Sequence, residues 1–216
     1  MKLGSVKYRH FVAATPIQTS RAIARAAVRA RLASIALGQF THRGFDSVTI
    51  TEVAQAAGVS RSTFLRYFET KEEAVLCAVD PAGEGVAARL MDRPASEDDW
   101  TALRRCFDDL IENYLRDPEQ TTAALRLVKS VPSISGRRLE RQCSWATNLA
   151  RALDRRAGAN RTEPAEPTIR AIARANAALS CMTVAVDRWT ASGGQLELGT
   201  LIDDAFAALA GLRPNP

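Results

Sequence analysis

At 216 residues, with 46% hydrophobic and 25% charged side chains, the chain can bury a proper core in one or two domains and has an ordinary globular composition. No apolar run approaches the roughly 20 residues that span a bilayer, and the opening residues lack the apolar stretch and cleavage site of a secretory leader, so a cytoplasmic protein with no membrane partner is expected. The net charge of +5 is uneven: residues 1–68 hold ten Lys/Arg against Asp46 and Glu52, while residues 69–216 hold nineteen against twenty-two Asp/Glu. Such a front fits either a polyanion-binding head or a charged surface that is merely solvated.

Taken in chain order, the predicted elements are all helical. Alternating β-branched runs are absent and Ala, Leu and Arg dominate, so the expected fold class is all-α, about four short helices followed by about five longer ones. After a flexible basic arm over 1–18, Ile23, Ala27, Ala30, Ala33, Leu37 and Phe40 make an apolar stripe that stops near Gly44. A second helix starts at Thr49, with Glu52 completing a T-x-x-E capping box, and ends at Ala57-Gly58, where glycine takes the left-handed conformation. Ser60 caps a third helix, with Val59 and Phe64 at the staple positions. A fourth starts at Glu69 or Thr70 and runs toward Val79, and helical character over 71–90 connects it to the rest. Beyond the polar loop 93–99 come helices over 100–116, 118–131, 133–157, 168–191 and 196–211. The loops 158–167 and 192–194 separate the last three.

A helix over 49–57, a tight turn and a helix over 60–67 have the spacing of a helix-turn-helix, whose second helix enters the major groove of DNA. Val53, Ala54, Ala57, Val59 and Phe64 form the inward set. Arg61, in the first turn, suits a bidentate fork on guanine, and Ser62 and Thr63 suit bases or phosphates. Tyr67 and Lys71 fall where a phosphate passes, Ser60 presents a helix N-terminus that favours an anion, Arg66 faces outward as a further DNA contact, and Thr49 and Thr51 are contacts at the first helix, which crosses the backbone. The Lys7-Tyr8-Arg9-His10 arm either adds phosphate or minor-groove contacts or has no role.

Residues 43–75, RGFDSVTITEVAQAAGVSRSTFLRYFETKEEAV, resemble the DNA-binding domain of the TetR/AcrR family of transcriptional regulators. The resemblance rests on Gly44-Phe45, the pattern over 49–54, A-G-V-S at 57–60, Phe64, R-Y-F at 66–68 and K-E-E at 71–73. It implies a three-helix DNA-binding head over 19–70, a ligand-binding and dimerisation domain over 71–216, and release from DNA by a small molecule. Leu65 stands where the family usually has a DNA-contacting tyrosine, so that contact is either lost or replaced by an apolar one to a thymine methyl. Residues 125–153 and 185–209 are similar to the family's C-terminal domains that bind acyl-CoA-like ligands. The implied partners are a double-stranded DNA operator, a small hydrophobic effector of acyl-CoA or fatty-acid type, and a second copy of the chain.

For the body, Phe107, Leu110, Tyr114, Leu127, Trp145, Leu149 and Met182, with Val131 beside them, are candidates for a pocket wall or for ordinary core. Arg137, Arg138 and Arg141 could meet an anionic group at its mouth, and 130–136 could form a lid or entrance. The small-residue stripe Ala171, Ala175 and Ala178, with helix 196–211, suits an isologous four-helix interface. No cofactor or metal is expected: the only histidines are His10 and His42, and no glycine-rich phosphate loop follows a strand. An enzyme is therefore not expected. Two alternatives stay open: a body that binds a protein instead of a small ligand, and a redox response through Cys143 or Cys181. The four cysteines otherwise read as isolated core thiols.

Overall fold

The computed structural model describes residues 20–80, 85–158 and 166–210, and among them every regular element is an α-helix. The arm over 1–18 and most of the loop 158–167 lie outside the described residues. The amino-terminal head consists of α1 (Ser20–Arg43), α2 (Ile50–Ala56) and α3 (Arg61–Leu65), and α4 (Lys71–Val79) packs along α1. The body follows as α5 (Val86–Asp92), α6 (Asp99–Arg105), α7 (Asp108–Leu115), α8 (Pro118–Ser130), α9 (Pro132–Arg156), α10 (Ile169–Ala191) and α11 (Leu198–Ala210).

The short helices are held at their ends. Thr49 accepts from Glu52 N while the Glu52 carboxylate accepts from Thr49 N, so the expected capping box is present. Ser60 caps α3 through Thr63 N, and Thr70 caps α4 through Glu73 N. Gly58, at φ +69°, closes α2 with its own N–H on the Gln55 carbonyl and Val59 N–H on the Ala54 carbonyl. This pair of bonds needs a left-handed residue between helix and exit, which glycine adopts without strain. Inside the head, Phe40 and Phe45 meet at 5.1 Å and Phe64 and Phe68 at 5.3 Å between ring centroids.

The structure departs from the sequence expectations at several places. The α1 stripe is buried only from Leu32 onward, and Ile23 is 56% exposed. At about 1.5 Å per residue, the 24 residues of α1 outreach the nine of α4 that pack against it. The connecting helix over 71–90 is divided, because α4 stops at Val79 and Asp80 leaves helical geometry with φ −119° and ψ 54°. The helix over 100–116 is also two, broken at Cys106-Phe107, both fully buried; there the Cys106 carbonyl accepts from Arg89 Nε at 3.1 Å. The segment 130–136, expected as a lid or entrance, is a helix joint, with Val131 between the end of α8 and the proline that starts α9, and its Pro132, Ser135 and Gly136 line a groove.

The body core sits among α8, α9, α10 and α11. Trp189 is fully buried and stacks on Tyr114 at 6.4 Å, and Trp100 donates its indole N–H to the Phe206 carbonyl. Arg156 hydrogen-bonds the carbonyls of Leu90, Arg93, Pro94 and Glu97, tying the α5–α6 loop to the end of α9. By length and composition α10 could cross a membrane, but it buries ten residues against its neighbours, as the core helix of a bundle does. Cys77, Cys106 and Cys181 are buried, whereas Cys143 is exposed, contrary to the core placement expected of all four. Burial pushes the Cys106 thiol up to about 12 and raises that of Cys181.

Candidate functional site

The helix-turn-helix geometry turns α3 outward. Phe64, 1% exposed, anchors the helix, while Arg61, Ser62 and Arg66 are exposed and Thr63 and Leu65 are half-buried. Ser60 Oγ lies 2.9 Å from both Ser62 Oγ and Thr63 Oγ1, so the three hydroxyls form one connected cluster at the start of the helix. Thr49 and Thr51 are exposed at the start of α2 and share with Arg61 and Lys71 a surface depression of about 360 Å³. Four of the nine predicted contact residues thus converge at one place. Arg66 lies at the other end of α3, next to Tyr67, which is half-buried with Arg25 placed 5.9 Å from its ring centroid.

Lys71 requires a correction. The sequence reading sends its ammonium to a phosphate, but Nζ donates to the carbonyls of Phe45 at 2.9 Å and Val48 at 3.2 Å. It also lies 4.4 Å from the Phe45 ring centroid. The ammonium therefore pins the segment before α2 to the start of α4. A signal was present in the sequence: a lysine in the first turn of a helix opposes the macrodipole, which favours anions there. A basic residue at that position has another partner to satisfy. Arg43, which carries no role in the sequence reading, bonds Glu52 at 2.6 Å and braces the capping box. The Thr49 backbone N–H first, then Arg43, hold the Glu52 carboxyl down at about 2.

The candidate pocket residues are mostly buried. Phe107, Leu110, Tyr114 and Leu149 are at most 2% exposed, Trp145 and Met182 are buried, and Leu127 and Val131 are half-buried. A groove of about 600 Å³ lies where α8 and α9 join beside the end of α10, and none of these eight residues lines it. Leu125, Val128, Pro132 and Leu139 form its apolar part, and Arg126, Lys129, Arg138 and Asp187 its charged part. The size is that of a small-molecule site.

The predicted arginine trio splits. Arg137 and Arg141 line a separate depression with Arg29 and Glu73, while Arg138 turns to Asp80, with Nε 3.1 Å from Oδ2. Tyr114 donates its hydroxyl to the same carboxylate. Burial, together with the Asp80 charge, pushes the Tyr114 hydroxyl well above 10, so it remains a donor. Burial alone would depress the Arg138 guanidinium, but Asp80 and Tyr114 outweigh it and hold the group above its ordinary value. Sequence reasoning missed this cluster because its members are 24 to 58 positions apart. No group of His, Cys, Asp and Glu among the described residues is arranged to hold a metal ion.

A capped helix-turn-helix on a small head, followed by a larger helical bundle, is the layout of a helix-turn-helix DNA-binding protein with a second helical unit. Residues 34–76 match the sequence profile of bacterial regulatory proteins of the tetR family, and residues 97–214 match that of the MftR C-terminal domain. The chain belongs to the tetR family, whose members are transcriptional regulators and not enzymes. It is 30% identical over 146 residues to the HTH-type transcriptional regulator TcmR of Streptomyces glaucescens, a match that covers 64% of each chain. It is also 30% identical over 92 residues to the HTH-type transcriptional regulator EthR of Mycolicibacterium smegmatis, covering 41% of this chain and 42% of that one. The matches thus span just under two thirds and about two fifths of these relatives. The fold is that of Thermus thermophilus FadR, a TetR-family transcriptional repressor solved with lauroyl-CoA. The TM-score is 0.56 at 22% identity, over 87% of this chain and 97% of that one. A TetR-family regulator of Streptomyces coelicolor A3 superposes with a TM-score of 0.53 at 16% identity, over 86% and 93% of the two chains.

Proposed function

We propose that the chain is a homodimeric, ligand-responsive transcriptional repressor that binds a pseudo-palindromic DNA operator and leaves it when a small hydrophobic effector, acyl-CoA-like or fatty-acid-like, enters the body. The observation that carries this reading is the α3 surface, where Arg61, Ser62 and Arg66 stand exposed on a helix anchored by Phe64. Such a helix contacts few base pairs, so two copies reading two half-sites give the affinity that one cannot. Exposed apolar residues on α10 and α11, Ile172, Val184 and Leu209, support a second copy packing there. The groove beside α8, α9 and α10 supports an effector site, and lauroyl-CoA in the FadR structure supports its chemical class.

The test is fluorescence anisotropy of the purified chain on duplexes selected from a randomised pool, followed by addition of lauroyl-CoA and of dodecanoate. A selected palindromic site and its release by either compound are the expected results. Failure to enrich any sequence would remove the DNA-binding reading; enrichment with no release by either compound would remove the effector class.

A further inference from the structure

In a helix-turn-helix the first helix crosses the DNA backbone, yet α2 carries no Lys or Arg. From the end of α1 through α2, residues 43–57 hold a single basic side chain, Arg43. The other groups that could hold a phosphate there are engaged inside the head. Lys71 keeps its ammonium on the Phe45 and Val48 carbonyls. Thr49 gives both its backbone N–H and its hydroxyl proton to Glu52 Oε2, each at 2.8 Å. The Glu52 carboxyl, held down at about 2, stays ionised at neutral pH. Without Arg43, the first turn of α2 would present a bare negative charge to a polyanion.

Arg43 offsets that charge and has donors to spare. Its Nη2 bonds Glu52 Oε1 at 2.6 Å, whereas Nη1 reaches Gln39 Oε1 only at 3.4 Å, beyond the usual range. Nε has no hydrogen-bond partner among the described residues. A guanidinium is a planar fork, so one edge can hold a carboxylate while another meets a phosphate. The Arg43 side chain is 46% exposed, and its partner Glu52 is bonded to Thr49, which lines the depression shared with Thr51 and Arg61. An exposed ion pair contributes little to stability. Its loss can therefore be read in DNA binding without unfolding the head.

We infer that Arg43 is a phosphate-binding residue of the head, its guanidinium bridging the Glu52 carboxylate and a backbone phosphate at the front of α2. Glu52 is then a positioning residue: it aims the guanidinium and closes the capping box with the same carboxylate. Thr49 serves as the cap on which this pair is built. The inference rests on the DNA-binding reading of the helix-turn-helix.

The test is the salt dependence of DNA binding by the full chain, from about 50 to 200 mM salt, on a duplex enriched from the randomised pool and on an unrelated one. Arg43→Ala should weaken binding to both duplexes alike, by about tenfold at the low-salt end. It should also reduce the salt slope by about one, with the melting curve little changed. Arg43→Lys keeps the charge and should keep the slope. Glu52→Gln separates contact from bracing, because glutamine preserves the capping box and Arg43 remains in place. Its slope should match that of the parent chain. A slope unchanged in Arg43→Ala, or lowered equally in Glu52→Gln, overturns the inference and leaves the DNA-binding reading standing. A parent chain that binds neither duplex overturns both.

Discussion

The head and the body hold themselves together over different distances in the chain. In the head, Thr49 caps for Glu52, Ser60 for Thr63, and Arg43 pairs with Glu52 only nine positions away. In the body, Asp80 and Arg138 are 58 positions apart, Leu90 and Arg156 are 66, and Trp100 and Phe206 are 106. The head is a set of locally specified turns that present a surface, whereas the body closes on itself through long-range polar ties. The difference suits the two tasks. A surface that reads DNA gains from local rigidity, and a sensing unit gains from contacts that one event can rearrange together.

Substitutions can break this contrast, and the largest effect is expected at the head's own core. Phe64→Ala should cost about 3–5 kcal/mol of stability, measured by urea denaturation, because the side chain is 1% exposed and packs at a tilt against Phe68. Lys71→Ala should cost about 1–3 kcal/mol by leaving two carbonyls unpaired, with the salt dependence of DNA binding unchanged. Unaltered melting with a salt slope reduced by about one would return Lys71 to the phosphates. Arg61→Ala should weaken specific DNA binding by about 1–3 kcal/mol and relax base preference while leaving the melting curve alone; a change in melting would mean that the recognition surface also supports the fold.

The smallest effect sharpens the local side of the contrast. Glu52 has its carboxyl lowered from 4.5 to about 2. A depressed carboxylate stabilises the fold fully above its unfolded value and loses that contribution as pH falls from about 4.5 toward 2. Glu52→Gln should therefore lower stability at neutral pH and flatten the acid limb in that window, so that the two proteins converge as pH falls toward 2. An acid limb identical in both proteins would assign the loss to other carboxylates.

The contrast also accounts for what could be read in advance. The caps at Thr49 and Ser60 and the turn at Gly58 are written in neighbouring residues, and all three formed as expected, while at Thr70 a cap settles a helix start that the sequence left open between Glu69 and Thr70. The break at Cys106-Phe107 was hidden because apolar periodicity runs straight through it, and the Arg89 contact beside it comes from 17 positions away. Lys71 escaped for a related reason, since its carbonyl partners are 26 and 23 positions back. Phe107, Tyr114 and Leu149 were legible as buried, but hydrophobicity does not distinguish a core from a pocket wall. The groove was illegible because it depends on how two helices joined at Val131 meet a third.

The turn at Gly58 has one more consequence. It is closed by main-chain bonds and by a residue without a side chain, and α3 is secured from beneath by Phe64. The outward guanidiniums of Arg61 and Arg66 take no part in either device. On the proposed reading, in which those two side chains contact the operator, operator preference and foldability drift independently, and a lineage acquires a new target site by exchanging them without first accumulating stabilising changes elsewhere.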